Sequence, residues 1–364
     1  MTGTPPEPKP LLRLHDALGN GEPDPSLLDQ APITPEACFF VRNNGTVPAV
    51  VSDLAEDWVL TVDGEVRRPF SLSLRELRER FEVVDEIAVL ECAGNGRSAI
   101  QPATDGLQWG YGAVGCARWT GVRLADLLKA ADVLPSAIYI GHESPDRVMG
   151  APDKPALSRG LPIGKAMARE TLVAFAMNGA PLSPEHGFPL RIVAPGYPGS
   201  AWQKWLNRIW VRDREHDGAL MTGTNYRMPR HPISPGDPID PQQFDVITDL
   251  RVKSLITSPA EGFSVRSGES LQIRGFAWSG HTPVDSVTVS ADGGARWLTA
   301  QLEPAPDNFA WRRFTIDMTP RAAGPIRLMA RATDVAGGMQ PLQPEWNPRG
   351  YLNNSVHKVS GTIT

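Results

Sequence analysis

Cysteine is scarce and unsuited to any framework: Cys38, Cys92 and Cys116 are the only three in 364 residues. An odd, widely spaced set gives no disulfide scaffold, no CxxC zinc pattern and no CxxCH haem attachment. A basic surplus is lacking too. With 36 Lys+Arg against 41 Asp+Glu, the formal net charge is −5, which argues against non-specific nucleic-acid binding because phosphate neutralisation needs a concentrated basic surface. Any anion site must therefore be local. No window approaches 18 consecutive apolar residues, so no membrane span is expected. The start, "MTGTPPEPKPLLRLHDALGN", has neither an apolar h-region nor a twin arginine. The expected compartment is the cytoplasm, or the periplasm if the start is trimmed.

What the chain has is proline, 35 residues of it in clusters, beside 34 glycines and a hydrophobic fraction of 41%. Its length suits two cores rather than one. Residues 1–36 ("TPPEPKP", "EPDPS", "APITPEA") read as an arm that wraps the surface in extended or polyproline segments. Residues 37–244 mix strand and helix patterns and form the expected catalytic domain. "CFFVRNN", "WVLTVDG" and "EIAVLEC" read as strands, whereas "SLSLRELRERF" and "GVRLADLLKAADV" carry helical spacing. The stretch "MPRHPISPGDPIDPQQ", with five prolines and no apolar period, marks a linker at 228–243.

Residues 245–364 change character. "SVTVSADGGARWLTA" alternates on both sides of an Asp-Gly-Gly turn, and "GPIRLMARATDVAGG" directs Ile326, Leu328, Ala330 and Ala332 inward. Short alternating strands without a convincing helix predict an immunoglobulin-like antiparallel β-sandwich. The fold class is thus α+β, a mixed α/β domain followed by a sandwich.

The chemistry centres on "VLECAGNGRSA", residues 89–99. A lone thiol in a glycine turn could be a nucleophile, a metal ligand, a redox switch or a buried structural residue. A nucleophile would need a nearby imidazole or helix N-terminus, and His142 and His186 are the candidates. Gly94 and Gly96 suggest close approach of a bulky group to the backbone, and Arg97 adds a fixed charge. The pattern suits something large and anionic.

"ECAGNGRS" resembles the cysteine motif of the sulfite oxidase family of molybdenum enzymes. The resemblance continues in order through "FFVRNN" (39–44), "ARWTGVRL" (117–124), "AMNGAPLSPEHGFPLRIVAPG" (176–196), "QKWL" (203–206) and "WNPRGYLNN" (346–354). It covers residues 37–358 and departs from the family at three positions: Gly96 where the eukaryotic motif has arginine, Asn44 where histidine is usual, and Glu143 where aspartate is common.

The resemblance implies a molybdopterin-binding catalytic domain and a dimerisation-type sandwich, with molybdenum and molybdopterin as cofactor and Cys92 as metal ligand. Soft sulfur donors suit that metal. Arg42, Arg97, Arg349 and Tyr226 would hold and orient an oxyanion, Arg349 folding back from the second domain to cap the pocket. Val41, Asn43, Asn44, Glu143, His186, Arg191, Trp202, Gln203 and Lys204 would contact the pterin, together with Arg42 and Cys92. The implied activity is oxidation of sulfite to sulfate by oxygen-atom transfer. No haem, flavin or iron–sulfur motif is present, so electrons would pass to an external carrier such as a small cytochrome. A homodimer is the implied assembly. Three rivals stand: a same-fold enzyme for another oxyanion or sulfur compound (a nitrate-reducing or sulfane-oxidising type), an inactive scaffold, and, more remotely, a cysteine hydrolase.

Overall fold

The computed structural model describes residues 12–49 and 52–364, so the first part of the proline-rich arm lies outside the described residues. The rest of the arm is more structured than expected. Leu12–Leu14 pairs antiparallel with Gly21–Pro23, and a 3-10 turn follows at Pro25–Gln30, where the Asp24 side chain accepts from Ser26 N. Proline at the first turn is tolerated because its missing N–H has no helical partner there. The arm ties both domains together: the Glu22 carboxylate accepts from Gly110 N (2.6 Å) and Gly112 N (2.9 Å), while Asp29 meets Arg274 and Arg313 of the second domain, each at 3.0 Å.

In chain order the first domain contains β1 (Val59–Gly64), β2 (Phe70–Ser73), α1 (Leu74–Arg80), β3 (Val83–Glu91), β4 (Val114–Arg123), α2 (Leu124–Ala131), β5 (Tyr139–Glu143), β6 (Gly160–Pro162), β7 (Leu172–Met177), β8 (Arg191–Val193) and β9 (Arg208–Arg212). Ser73 caps α1 in a reciprocal capping box with Glu76. One sheet runs β6-β5-β9-β1-β2, with only β9 and β1 parallel; the other runs β3-β4-β7, with β8 and Ala180–Pro181 along the free edge of β7. Strands outweigh helices. The helix expected at 121–133 begins only at Leu124, because Gly121 lies in β4 with no room for a side chain against the Val173 backbone.

The strand expected at "CFFVRNN" is a correction. Only Val41 forms a bridge, to Gly21, and amide side chains replace the rest of a ladder: Asn20 Nδ2 donates to Asn43 O (3.1 Å) and Asn43 Nδ2 to Leu18 O (3.0 Å). The linker at 228–243 is not free chain throughout, since Arg227–Pro229 pairs antiparallel with Phe244–Val246.

The second domain is a two-sheet sandwich. β10 (Lys253–Ser258), β11 (Leu271–Trp278) and β13 (Arg312–Met318) form one sheet in that order; β12 (Val284–Ser290), β14 (Gly324–Asp334) and β15 (His357–Ile363) form the other, with β14 central. Ile326, Leu328, Ala330 and Ala332 are all buried, as their alternation predicts. A separate apolar cluster joins Leu28 of the arm, Val89, Val114 and Cys116 of β3 and β4, and Leu255, Phe276, Trp278 and Trp311 of the sandwich. The domains therefore meet behind β3, the strand that leads to Cys92.

His357 is buried on β15, where its Nδ1 accepts from Ile256 N (3.1 Å) and burial, with Lys253 adding, pushes its pKa down to about 3. An unfolded histidine titrates near ~6.5, so the unfolded chain takes up the proton first. The contribution of the neutral ring is complete above that pH and is lost as pH falls towards 3. Between pH 6.5 and 4, His357→Gln is expected to flatten the pH slope of stability by about 1.4 kcal/mol per pH unit. Urea midpoints measured across that range check this; an unchanged slope would show that the ring does not stay neutral.

Candidate functional site

β3 pairs with β4 up to Glu91 opposite Val114, after which the chain leaves the sheet at Cys92. The turn is built from the backbone: Cys92 N donates to Ala113 O (3.0 Å), Asn95 N to Cys92 O (2.9 Å) and Gly96 N to Gly110 O (2.6 Å). Gly96 has φ +86°, in the left-handed region that favours glycine. The sequence suggests that these glycines admit a bulky bound group, but the atoms beside them are the protein's own. A Cβ at Gly94 would lie 2.5 Å from the Arg97 guanidinium, and one at Gly96 3.0 Å from the Asn353 amide. They make room for Arg97 and for the C-terminal segment instead.

Beside this turn lies a cleft of about 640 Å³, its open mouth included, lined by Phe40, Arg42, Asn44, Leu90, Cys92 and Asp146 from the first half of the domain. Glu185, His186, Arg191, Ser200, Trp202, Gln203, Lys204 and Tyr226 line it from the second half. Three features of "EHGFPLR" and "WQKW" bring the cations in. A 3-10 turn at Pro184–His186 ends on Gly187, φ +104°, which passes close under Lys204. Arg191 opens β8, buried 4.8 Å from the Trp119 ring and 5.9 Å from the Trp202 ring, and donates to His186 O (2.8 Å) and Trp202 O (3.2 Å). Lys204 donates to Asn43 Oδ1 and to Glu185 O.

Among the described residues, Arg42, Arg191 and Lys204 form no ion pair; their hydrogen-bond partners are carbonyl and amide oxygens. Burial pushes Arg191 down to about 9, and enclosure, with Arg191 and Arg42 adding, pushes the Lys204 ammonium well below the usual lysine range. Burial likewise raises Asp146, weakening its claim as a counter-charge. The cleft thus holds positive charge that a bound anion would restore to its full extent. Ser200 Oγ is buried in the same wall with no hydrogen-bond partner. Burial raises the Cys92 thiol above its ordinary value although Arg42 and Arg97 pull it down. Such a thiol is a poor free nucleophile but a good candidate to be deprotonated by a metal.

The sequence-derived residues divide into groups. Arg42, Asn44, Cys92, His186, Arg191, Trp202, Gln203, Lys204 and Tyr226 meet in the cleft. Asn44 Oδ1 links two of them, accepting from Arg42 Nη2 (2.7 Å) and Tyr226 Oη (3.2 Å). Val41 and Asn43 are buried just behind. Glu143 does not join: it pairs with Arg208 (2.9 Å), and Asp146 lines the cleft in its stead. Arg97 and Arg349 meet each other rather than the cleft walls, Arg97 Nε donating to Arg349 O (2.9 Å) and Arg349 Nε to Thr224 Oγ1 (3.0 Å).

Those outer residues are connected to the cleft by a column of stacked groups. Arg97 lies 5.3 Å from the Tyr351 ring, Tyr351 stacks on Tyr226 at 5.5 Å, and Arg159 covers the Tyr226 ring at 5.1 Å. Arg159 and Tyr351 were not read as site residues. Tyr351 sits inside "WNPRGYLNN" and could have been found there; Arg159, buried with Nε unpartnered, has no local motif to reveal it.

Comparison with known proteins agrees with this geometry. The model of the oxidoreductase molybdopterin binding domain matches residues 44–220, and that of the Mo-co oxidoreductase dimerisation domain matches 244–363. Sulfite oxidase of Gallus gallus is 35% identical over 98% of this chain and 79% of its own length. Mitochondrial sulfite oxidase of Rattus norvegicus is also 35% identical, over 96% of this chain and 65% of its own. Among solved structures, the sulfane dehydrogenase SoxCD of Paracoccus pantotrophus superimposes with a TM-score of 0.78 at 27% identity, covering 94% of this chain and 86% of that one. Fold and cleft thus define a molybdopterin-binding oxidoreductase. The chain belongs to the sulfite oxidase family, and it spans 65% of the length of the rat enzyme.

The cleft residues fit the family's cofactor on their own chemistry: surplus cations for an anionic pterin phosphate, an orphaned hydroxyl, and one buried thiol as a soft donor. Replacing Lys204 by Met removes a charge-assisted contact worth about 1.5–3 kcal/mol. Protein purified from a host that makes molybdopterin is expected to carry about tenfold less of it, or lower still, with an unchanged circular dichroism spectrum. Full loading of Lys204→Met would remove this side chain from the cofactor's site.

Proposed function

We propose that this chain oxidises sulfite to sulfate, holding Mo-molybdopterin in the cleft with Cys92 as the metal's protein ligand. The observation that carries the reading is the concentration, around one buried thiol, of cations that form no ion pair among the described residues. Family membership supports it. When bound, the cofactor supplies oxygen-atom transfer and takes up two electrons.

The protein's own work is binding and orientation. Arg191, Lys204, Gln203 and Trp202 hold the pterin, assisted by Asn43 and by the orphaned Ser200 hydroxyl. Arg42 presents a planar fork to the substrate dianion, fixed at its far side by Asn44, and Tyr226 adds a neutral hydrogen bond steadied by the same amide. Arg97 and Arg349 stand outside the cleft walls and act on it by position, Arg97 backing the Tyr351 ring that stacks on Tyr226. Preorganised charge of this kind costs no rearrangement when substrate arrives. The electrons leave to an external one-electron carrier such as a small cytochrome, and two chains associate through the second domain as a homodimer. A second reading, oxidation of a sulfane sulfur, draws on the likeness to the sulfane dehydrogenase SoxCD.

Molybdenum-loaded protein assayed with sulfite and ferricyanide is expected to reduce two dye molecules per sulfite. Arg42→Met should raise the half-saturation for sulfite by about tenfold or more, through loss of a charged hydrogen bond. Loaded enzyme that reduces no dye with sulfite, yet does so with a sulfane donor, would move the assignment to the second reading.

A further inference from the structure

Glu91, the residue before Cys92, has its carboxylate at the boundary between the domains. Lys253 of β10 meets Glu91 Oε1 at 2.8 Å and also donates to Asn95 O at 3.1 Å; both charged side chains are almost wholly buried. Trp278 Nε1 of β11 donates to the other carboxylate oxygen at 2.7 Å, and Asn95 Nδ2 donates to Oε1 at 2.9 Å. The C-terminal segment adds two donors, Leu352 N to Ala93 O (2.8 Å) and Asn353 Nδ2 to Gly96 O (2.8 Å), and one acceptor, the Arg349 carbonyl, which takes the Arg97 Nε proton (2.9 Å). Glu91, Ala93, Asn95, Gly96 and Arg97 therefore all take a partner from the second domain.

We propose that the buried Glu91–Lys253 pair is a positioning device through which the second domain fixes the Cys92 loop against the cleft. A buried ion pair stabilises little relative to a well-packed apolar contact, but it tolerates far less displacement once every lone pair and proton is satisfied. An apolar contact would hold the domains together equally well and let the loop slide. Here the carboxylate receives three donors from fixed directions, and the lysine that supplies one of them grips the loop again four residues further on. The second domain thus acts on the site as well as on assembly. This deepens the reading of Cys92 given above.

The test uses the full chain purified without molybdopterin, with iodoacetamide labelling followed at each cysteine by peptide mass spectrometry. All three cysteines are buried, and Cys116 lies in the apolar cluster between the domains, so it reports undocking. Lys253→Met is expected to accelerate labelling of Cys92 by roughly tenfold or more while Cys38 and Cys116 keep their rates. Lys253→Arg, which keeps the charge, should stay near wild type. If Lys253→Met yields no folded protein, Glu91→Gln carries the same expectation with a smaller acceleration. An unchanged Cys92 rate, or Cys116 accelerating in step with Cys92, would overturn the proposal. Sulfite turnover of loaded wild-type enzyme tests the proposed function separately, because labelling is read without the cofactor.

Discussion

Positive charge withdrawn from water must be matched by something negative, and this requirement organises the first domain. Arg191 is buried between two tryptophans, Lys204 is pinned by an amide and a carbonyl, and Arg42 is held by Asn44. None of the three has a carboxylate partner among the described residues, and Asp146, the carboxyl nearest to serving, is itself pushed towards neutrality by burial. A domain that keeps such a surplus is built to be completed by an anion. The thiol of Cys92 at the same wall adds the soft donor that distinguishes a metal–dithiolene group from a simple phosphate.

Placing that thiol is a task shared by both domains. β3 delivers Cys92 to the cleft, and the sandwich holds the following loop from behind through Lys253, Trp278 and the C-terminal segment. The stack of Arg97, Tyr351, Tyr226 and Arg159 then carries this rigidity across the cleft mouth, with one aromatic from each domain at its centre. An aromatic pair flanked by cations is a contact that depends on ring orientation as well as area. A residue of the second domain, Tyr351, therefore packs directly on a residue of the cleft, Tyr226.

Much of this was legible in the sequence because it is local. The sandwich strands announce themselves by alternation, α1 by the helical spacing of Leu74, Leu77 and Phe81, and the cleft by ordered motif blocks whose residues meet in space. What was not legible depends on long-range packing. "CFFVRNN" has strand composition, yet side-chain amides from Asn20 and Asn43 displace the ladder. Gly94 and Gly96 signal close approach without saying of what, and the answer is protein, Arg97 and Asn353. The position of Glu143 suggests a pterin contact, but Arg208 lies next to it on β9 and takes the carboxylate. Arg159 had no signal at all, since its importance comes from the ring it covers, 67 residues further along the chain.

In the proposed holoenzyme Cys92 supplies the protein's sulfur to a molybdenum centre in this cleft. Molybdenum K-edge X-ray absorption on loaded wild-type protein and on Cys92→Ser measures it directly. One sulfur neighbour fewer at the metal is expected in the variant. The same number of sulfur neighbours in both proteins would contradict it.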